Sequence, residues 1–208
     1  MKNDLTTWQQ RVAERSDLCT FLTHFTKPRS LEGSMASAMD VLFEILSTTT
    51  LKGSTTKTGF IVGDTPAVCF QESPPTSLAQ NLYFEQKISD STTDSKWRYS
   101  PLGVMFFKTT VYRSGGRPVI YEKTETAKDF LPSDEWWRIV KLDHSDSNKI
   151  IDWTHEREWR VPHHYKFELK DATVVLLRSD YKEFIKRATQ QGMLSEIAGI
   201  LTLNSSLV

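Results

Sequence analysis

Two continuous apolar runs, Gly103-Val104-Met105-Phe106-Phe107 and Ala172-Thr173-Val174-Val175-Leu176-Leu177, constrain this chain more than any other feature. Each is too short for a helix, and both are rich in β-branched or aromatic residues. Neither alternates polar with apolar positions, so each predicts a central strand covered on both faces. Such strands need flanking layers, and helical patterns lie on either side of them in the sequence. Leu5, Trp8 and Val12 share a face in a helix over about 1–16. Ser30–Ser47 carries Leu31, Met35, Met39, Leu42, Ile45 and Leu46 near a helical period. Thr76–Gln86 predicts a short helix, Asp180 an N-cap for Tyr181–Gln190, and Leu194–Leu201 a last short helix. Further strands are predicted over Leu18–Thr26, Val68–Phe70, Pro118–Tyr121 and Trp159–Val161, while Trp136–Leu142 fits helix or strand equally. Phe60–Phe70 is β-rich around a turn at Gly63-Asp64. Arg113–Gly116 predicts a turn, with its two glycines in a hairpin, and the polar Ser89–Lys96 predicts a mobile loop.

These elements predict one mixed α+β domain over 1–208, with a core over about 18–178 between the first helix and helices over 180–202. A chain of 208 residues buries one core comfortably and leaves little for a second. Its 26 basic side chains are matched by 26 acidic ones, which argues against nucleic-acid binding by overall charge and leaves a local basic groove open. No stretch approaches the roughly 20 apolar residues of a membrane span, and the start lacks an apolar leader. A cytoplasmic protein without membrane association is the expectation. Cys19 and Cys69 are too few for a disulfide framework or a four-thiolate zinc site.

The densest polar cluster is Trp153-Thr154-His155-Glu156-Arg157-Glu158-Trp159-Arg160-Val161. Read as a strand, its period of two puts Glu156, Glu158 and Arg160 on one face and His155, Arg157 and Trp159 on the other. Two carboxylates side by side repel unless a cation, a substrate or a proton separates them. A solvated edge strand is the ordinary alternative. His144, His155, His163 and His164 lie close in sequence, but none pairs at i, i+4 on a helix and neither cysteine is near, so no metal is expected. His24 sits in an apolar strand between Thr23 and Phe25, where a core histidine satisfied by backbone is the plain reading. Glycine-rich phosphate loops and the Gly-x-Ser-x-Gly elbow are missing, and Cys69 in an apolar strand reads as a small hydrophobe.

Three spaced segments carry a resemblance. Leu22-Thr23-His24-Phe25-Thr26 precedes a helix ending in Glu44-Ile45-Leu46; Ala67-Val68-Cys69-Phe70-Gln71-Glu72-Ser73-Pro74 follows; Gly103-Val104-Met105-Phe106-Phe107-Lys108 then precedes His155-Glu156-Arg157-Glu158-Trp159-Arg160-Val161. This order resembles the AbiGi-type abortive-infection proteins of bacterial phage defence over most of residues 20–165. At greater distance it is similar to the DarT toxins of the ADP-ribosyltransferase fold, although the toxins' Asn-Leu pair is missing after His24. The resemblance implies a split mixed or antiparallel sheet with flanking helices, NAD as substrate, and no metal. It implies Glu158 as the carboxylate that stabilises an oxocarbenium-like ribose, with Glu156 positioning or deprotonating the acceptor. His24 and Thr26 would hold the cofactor ribose, Gln71 and Ser73 would line the cleft, and Arg98 or Arg160 would meet the pyrophosphate. Phe70 or Tyr99 would stack on nicotinamide. The implied activity is ADP-ribosyl transfer to a nucleic acid or protein, as a toxin or effector. AbiGi-type proteins also include antitoxin-like partners, so an inactive relative that binds a cognate toxin or senses phage is the first alternative. A metal-dependent nuclease using Glu156, Glu158 and a histidine is the second.

Overall fold

The computed structural model describes residues 4–31, 33–91 and 100–203. In chain order these form helix α1 (Leu5–Ala13), strands β1 (Phe21–Phe25), β2 (Arg29–Leu31) and β3 (Ser34–Ala36), helix α2 (Ala38–Thr48), strands β4 (Thr50–Lys52) and β5 (Ala67–Gln71), and helix α3 (Pro75–Ser91). There follow β6 (Gly103–Phe107), α4 (Lys108–Arg113), β7 (Arg117–Pro118), β8 (Ile120–Glu122), α5 (Thr124–Phe130) and β9 (Ile139–Lys141). The chain ends with β10 (Glu158–Pro162), β11 (His164–Lys166), β12 (Thr173–Leu177), α6 (Tyr181–Gln190) and β13 (Gly199–Leu203). The class is mixed α+β, with a mixed sheet and flanking helices. Two compact units divide the chain. The first comprises Met1–Thr49, Ser73–Phe106 and Phe167–Val208, and the second Thr50–Glu72 and Phe107–Lys166.

In the first unit the strand order is β13-β12-β6-β1, so the two apolar runs are flanked on both sides, as expected of central strands. β12 runs antiparallel to β6, with Val174 opposite Val104, and parallel to β13, with Val175 opposite Leu201. Leu82 of α3 buries itself with Met105, Val175 and Leu203, and Phe21, Phe25 and Ala79 close the same cluster. Gly103 is required by close approach, because a Cβ there would run into the His24 carbonyl of the neighbouring strand. Helix α2 starts later than its apolar period suggests. Arg29–Leu31 pairs antiparallel with Ser34–Ala36, Gly33 before the second strand has φ +85°, and Ser37 caps the helix in a reciprocal capping box with Asp40. Phe43 of α2 stacks on Phe184 of α6 at 5.4 Å.

The predicted helix over Leu194–Leu201 is instead a turn leading into β13. Gly199 would cost a helix interior roughly 1 kcal/mol, and the open edge of β12 offers the apolar Ile200, Leu201 and Leu203 a ladder. Ala198 extends it by donating to the Ala172 carbonyl at 3.0 Å. The predicted loop at Ser89–Lys96 begins inside α3, which runs to Ser91, and its remainder lies outside the described residues.

The second unit orders β5-β10-β7, all antiparallel, with β4 paired to β11 and β8 parallel to β9. Ile61, Ala67 and Trp137 form a buried cluster against which Cys69 packs. Trp136–Leu142 resolves into both of its readings, a 3₁₀ turn over Ser133–Arg138 followed by β9. The Phe60–Pro66 half of the β-rich Phe60–Phe70 stretch stays outside any strand. Gly115-Gly116 ends α4 rather than forming a hairpin: Gly116 N–H donates to the Val111 carbonyl and Gly115 N–H to that of Tyr112, with Gly115 at φ +91°. The strand predicted over Pro118–Tyr121 splits at Val119 into β7 and β8, as a proline without an N–H favours.

Candidate functional site

β10 begins at Glu158, not earlier. Thr154–Glu156 is a 3₁₀ turn, and Arg157 takes a left-handed φ of +47° before the chain becomes extended. The expectation that Glu156, Glu158 and Arg160 share one strand face is therefore corrected. Alternation starts only at Glu158, which does share its face with Arg160, while Glu156 sits half-buried in the turn.

Glu158 and Arg160 form an ion pair whose side chains are 9% and 3% exposed. Arg160 Nε donates to Glu158 Oε1 at 2.7 Å and its Nη2 to Oε2 at 3.4 Å. The same guanidinium donates through Nη1 to the carbonyls of Trp137 (2.7 Å) and Ile139 (3.1 Å), and through Nη2 to that of Phe60 (3.4 Å). Each of its three nitrogens is thus engaged inside the unit. Burial by itself lowers the Arg160 pKa, but the Glu158 charge leaves it raised, so the guanidinium stays charged.

The register of β5 against β10 sets Gln71 opposite Glu158 and Cys69 opposite Arg160, on one face. Gln71 is 7% exposed, and its buried Oε1 has no hydrogen-bond partner. Burial, reinforced by the Glu158 charge, pushes the Cys69 thiol up and keeps it protonated, consistent with a small hydrophobe. Glu158 N–H donates to Tyr121 Oη at 2.8 Å, and the Glu158 carbonyl accepts from Val119 N–H at 3.1 Å. Burial foremost, with the charges of Glu158 and Glu156 added, pushes the Tyr121 phenol up to about 12.

The opposite face is separate. Phe70 points there, 1% exposed, with its ring edge-on to Tyr165 at 5.5 Å. Trp159 Nε1 donates to Glu72 Oε2 at 2.7 Å, Lys108 Nζ lies 2.6 Å from Glu72 Oε1, and Arg157 Nη2 lies 3.8 Å from it.

Of the residues singled out in the sequence, Gln71, Glu156, Glu158 and Arg160 thus gather around one end of β10. His24, Thr26 and Ser73 belong to the first unit. There His24 is half-buried on β1, and Ser73 is buried at the turn into α3. Thr26 is buried with its hydroxyl donating to the Leu102 carbonyl at 2.9 Å and the Ala38 carbonyl at 3.3 Å. Arg98 and Tyr99 lie outside the described residues. Sequence reasoning passed over Tyr121, because nothing in a strand-like Pro118–Tyr121 ties its hydroxyl to a residue far along the chain. It also left Glu72 without a role, although that residue sits beside Gln71 in a segment already singled out.

Among the described residues no group of three or more His, Cys, Asp or Glu side chains is placed to hold a metal ion, and no helix is long and apolar enough to cross a membrane. Comparison with family models, curated proteins and solved structures finds no match for this chain.

Proposed function

We propose that this chain transfers ADP-ribose from NAD, with Glu158 as the carboxylate at the reacting ribose and an ADP-ribosyltransferase-like split sheet as its frame. The observation that carries the reading is Glu158 buried at the start of β10 and, opposite it on β5, Gln71, whose buried Oε1 has no hydrogen-bond partner. The resemblance of its motif order to abortive-infection proteins and DarT toxins supports the same reading and, with it, a role in phage defence. In the proposed reaction the bond between the ribose C1′ and the nicotinamide nitrogen breaks, and nicotinamide leaves with the electron pair. Positive charge develops on the ribose ring, and a fixed carboxylate stabilises it without reorganising. A nucleophilic oxygen or nitrogen of a nucleic-acid or protein acceptor then bonds to C1′, and its proton passes to Glu156.

Purified full-length protein incubated with NAD should release nicotinamide. Glu158→Gln, compared at equal folded fraction, should be slower by about a hundredfold or more. No heat on titration with millimolar NAD, together with no nicotinamide released, would sink the reading.

One observation favours a second reading. The fork of Arg160 already occupies both Glu158 oxygens, as a purely structural ion pair would. An inactive relative that serves as the binding partner of a cognate toxin accounts for that arrangement. It predicts no NAD turnover and no toxicity when the wild-type chain is expressed alone.

A further inference from the structure

We propose that Tyr121 is a positioning residue for Glu158, aiming its carboxylate by holding the backbone amide of the same residue. The claim rests on the transferase reading given above.

Where β10 runs beside β7, Trp159 lies opposite Pro118 and Arg160 opposite Arg117. One step further along, Val119 N–H donates to the Glu158 carbonyl at 3.1 Å. A regular antiparallel pair exchanges two such bonds. Here the Glu158 N–H goes instead to the Tyr121 hydroxyl at 2.8 Å. A side-chain oxygen has taken a place that a backbone carbonyl fills in a continuing ladder.

That substitution falls where the backbone changes course. Arg157 is left-handed at φ +47°, so Glu158 is the first residue of the extended segment. The orientation of its amide fixes where its Cα–Cβ bond points. Arg160 then fixes the far end of the side chain through Nε at 2.7 Å. The carboxylate is thus held at both ends, by a phenol at the amide and a guanidinium at the oxygens. Burial and the two nearby carboxylates keep the phenol protonated up to about pH 12, so its oxygen stays a neutral acceptor across the working range.

Tyr121→Phe keeps the ring and removes this one acceptor. Steady-state NAD hydrolysis by the full chain should show kcat lowered about tenfold and KM for NAD within about twofold, by the same factor from pH 6 to 9. Calorimetry should give the same number of NAD sites per chain for variant and wild type, which separates mispositioning from a smaller folded fraction. Amide hydrogen exchange at Glu158 should be faster in the variant by a similar factor, and this readout needs no turnover. A variant with unchanged kcat beside an active wild type overturns the positioning role alone. Unchanged exchange at the Glu158 amide does the same. A wild type that neither binds nor turns over NAD overturns the transferase reading, and the positioning role with it.

Discussion

Glu158 answers to two demands that a sequence treats as one. As a strand residue its replacement by Gln is nearly isosteric and leaves packing around Trp159 and Val161 alone. As the partner of a guanidinium that is 3% exposed, it neutralises a charge that has no route to water. Removing one member of a buried pair typically costs about 3–5 kcal/mol, because the other is left uncompensated. Glu158→Gln keeps one acceptor oxygen, so a loss of about 3 kcal/mol is expected in urea unfolding at pH 7. An unchanged midpoint would show that the pair contributes nothing to stability. The sequence made Glu158 and Arg160 legible as residues on one face, since alternation alone predicts that. It hid the left-handed turn at Arg157, because positive φ is a property of the backbone that a non-glycine residue does not advertise. Hidden with it were the placement of Glu156 off the strand and the reach of Tyr121, whose partner lies across the fold.

Elements with strong local signals came out where the pattern put them. β6 and β12 are the cases: short apolar runs have few other ways to be satisfied. Boundaries set by tertiary context did not, as α2 and β13 show. The start of α2 is decided by its cap and not by its hydrophobic period. Ser37 Oγ accepts from Asp40 N–H at 3.1 Å, and Asp40 Oδ2 accepts in return from Ser37 N–H at 3.1 Å. Asp40 also meets Arg187 Nη2 at 2.9 Å. The Ser37 hydroxyl first, then Arg187, hold the Asp40 carboxyl below its ordinary range. A carboxyl lowered on folding stabilises the native state fully above its unfolded pKa of about 4 and loses that contribution as pH falls through the lower, folded value. Asp40→Asn should therefore destabilise the protein at pH 7, modestly because the side chain is half-exposed. The gap from wild type should narrow as urea titrations are carried down toward pH 2.5. A gap that stays constant over that range would remove the carboxylate's charge from the account.

On the scale of the whole chain, neither compact unit is continuous in sequence. The chain passes between them after Thr49, Glu72, Phe106 and Lys166, so the first unit is assembled from three separated stretches. A strand such as β6 is completed only by β12, far along the sequence, and pairings of that range cost loop-closure entropy before they return any contact. Ending the chain after Lys166 removes β12, α6 and β13 together and strips one side of β6, where Val104 and Phe106 are fully buried. Limited proteolysis of that fragment, read by mass, should cut within β1, α2 and β6 more readily than the same treatment of the full chain, where these elements are largely buried. Equal protection in both would mean that the first unit does not depend on its last stretch. The division has an optical side as well. Four of the six tryptophans, Trp136, Trp137, Trp153 and Trp159, fall in the second unit, with Trp137 only 3% exposed and the Trp159 indole bonded to Glu72. Intrinsic emission is therefore a lopsided gauge: it registers chiefly the loosening around β10, whereas far-ultraviolet dichroism weighs both units by their length of helix and strand.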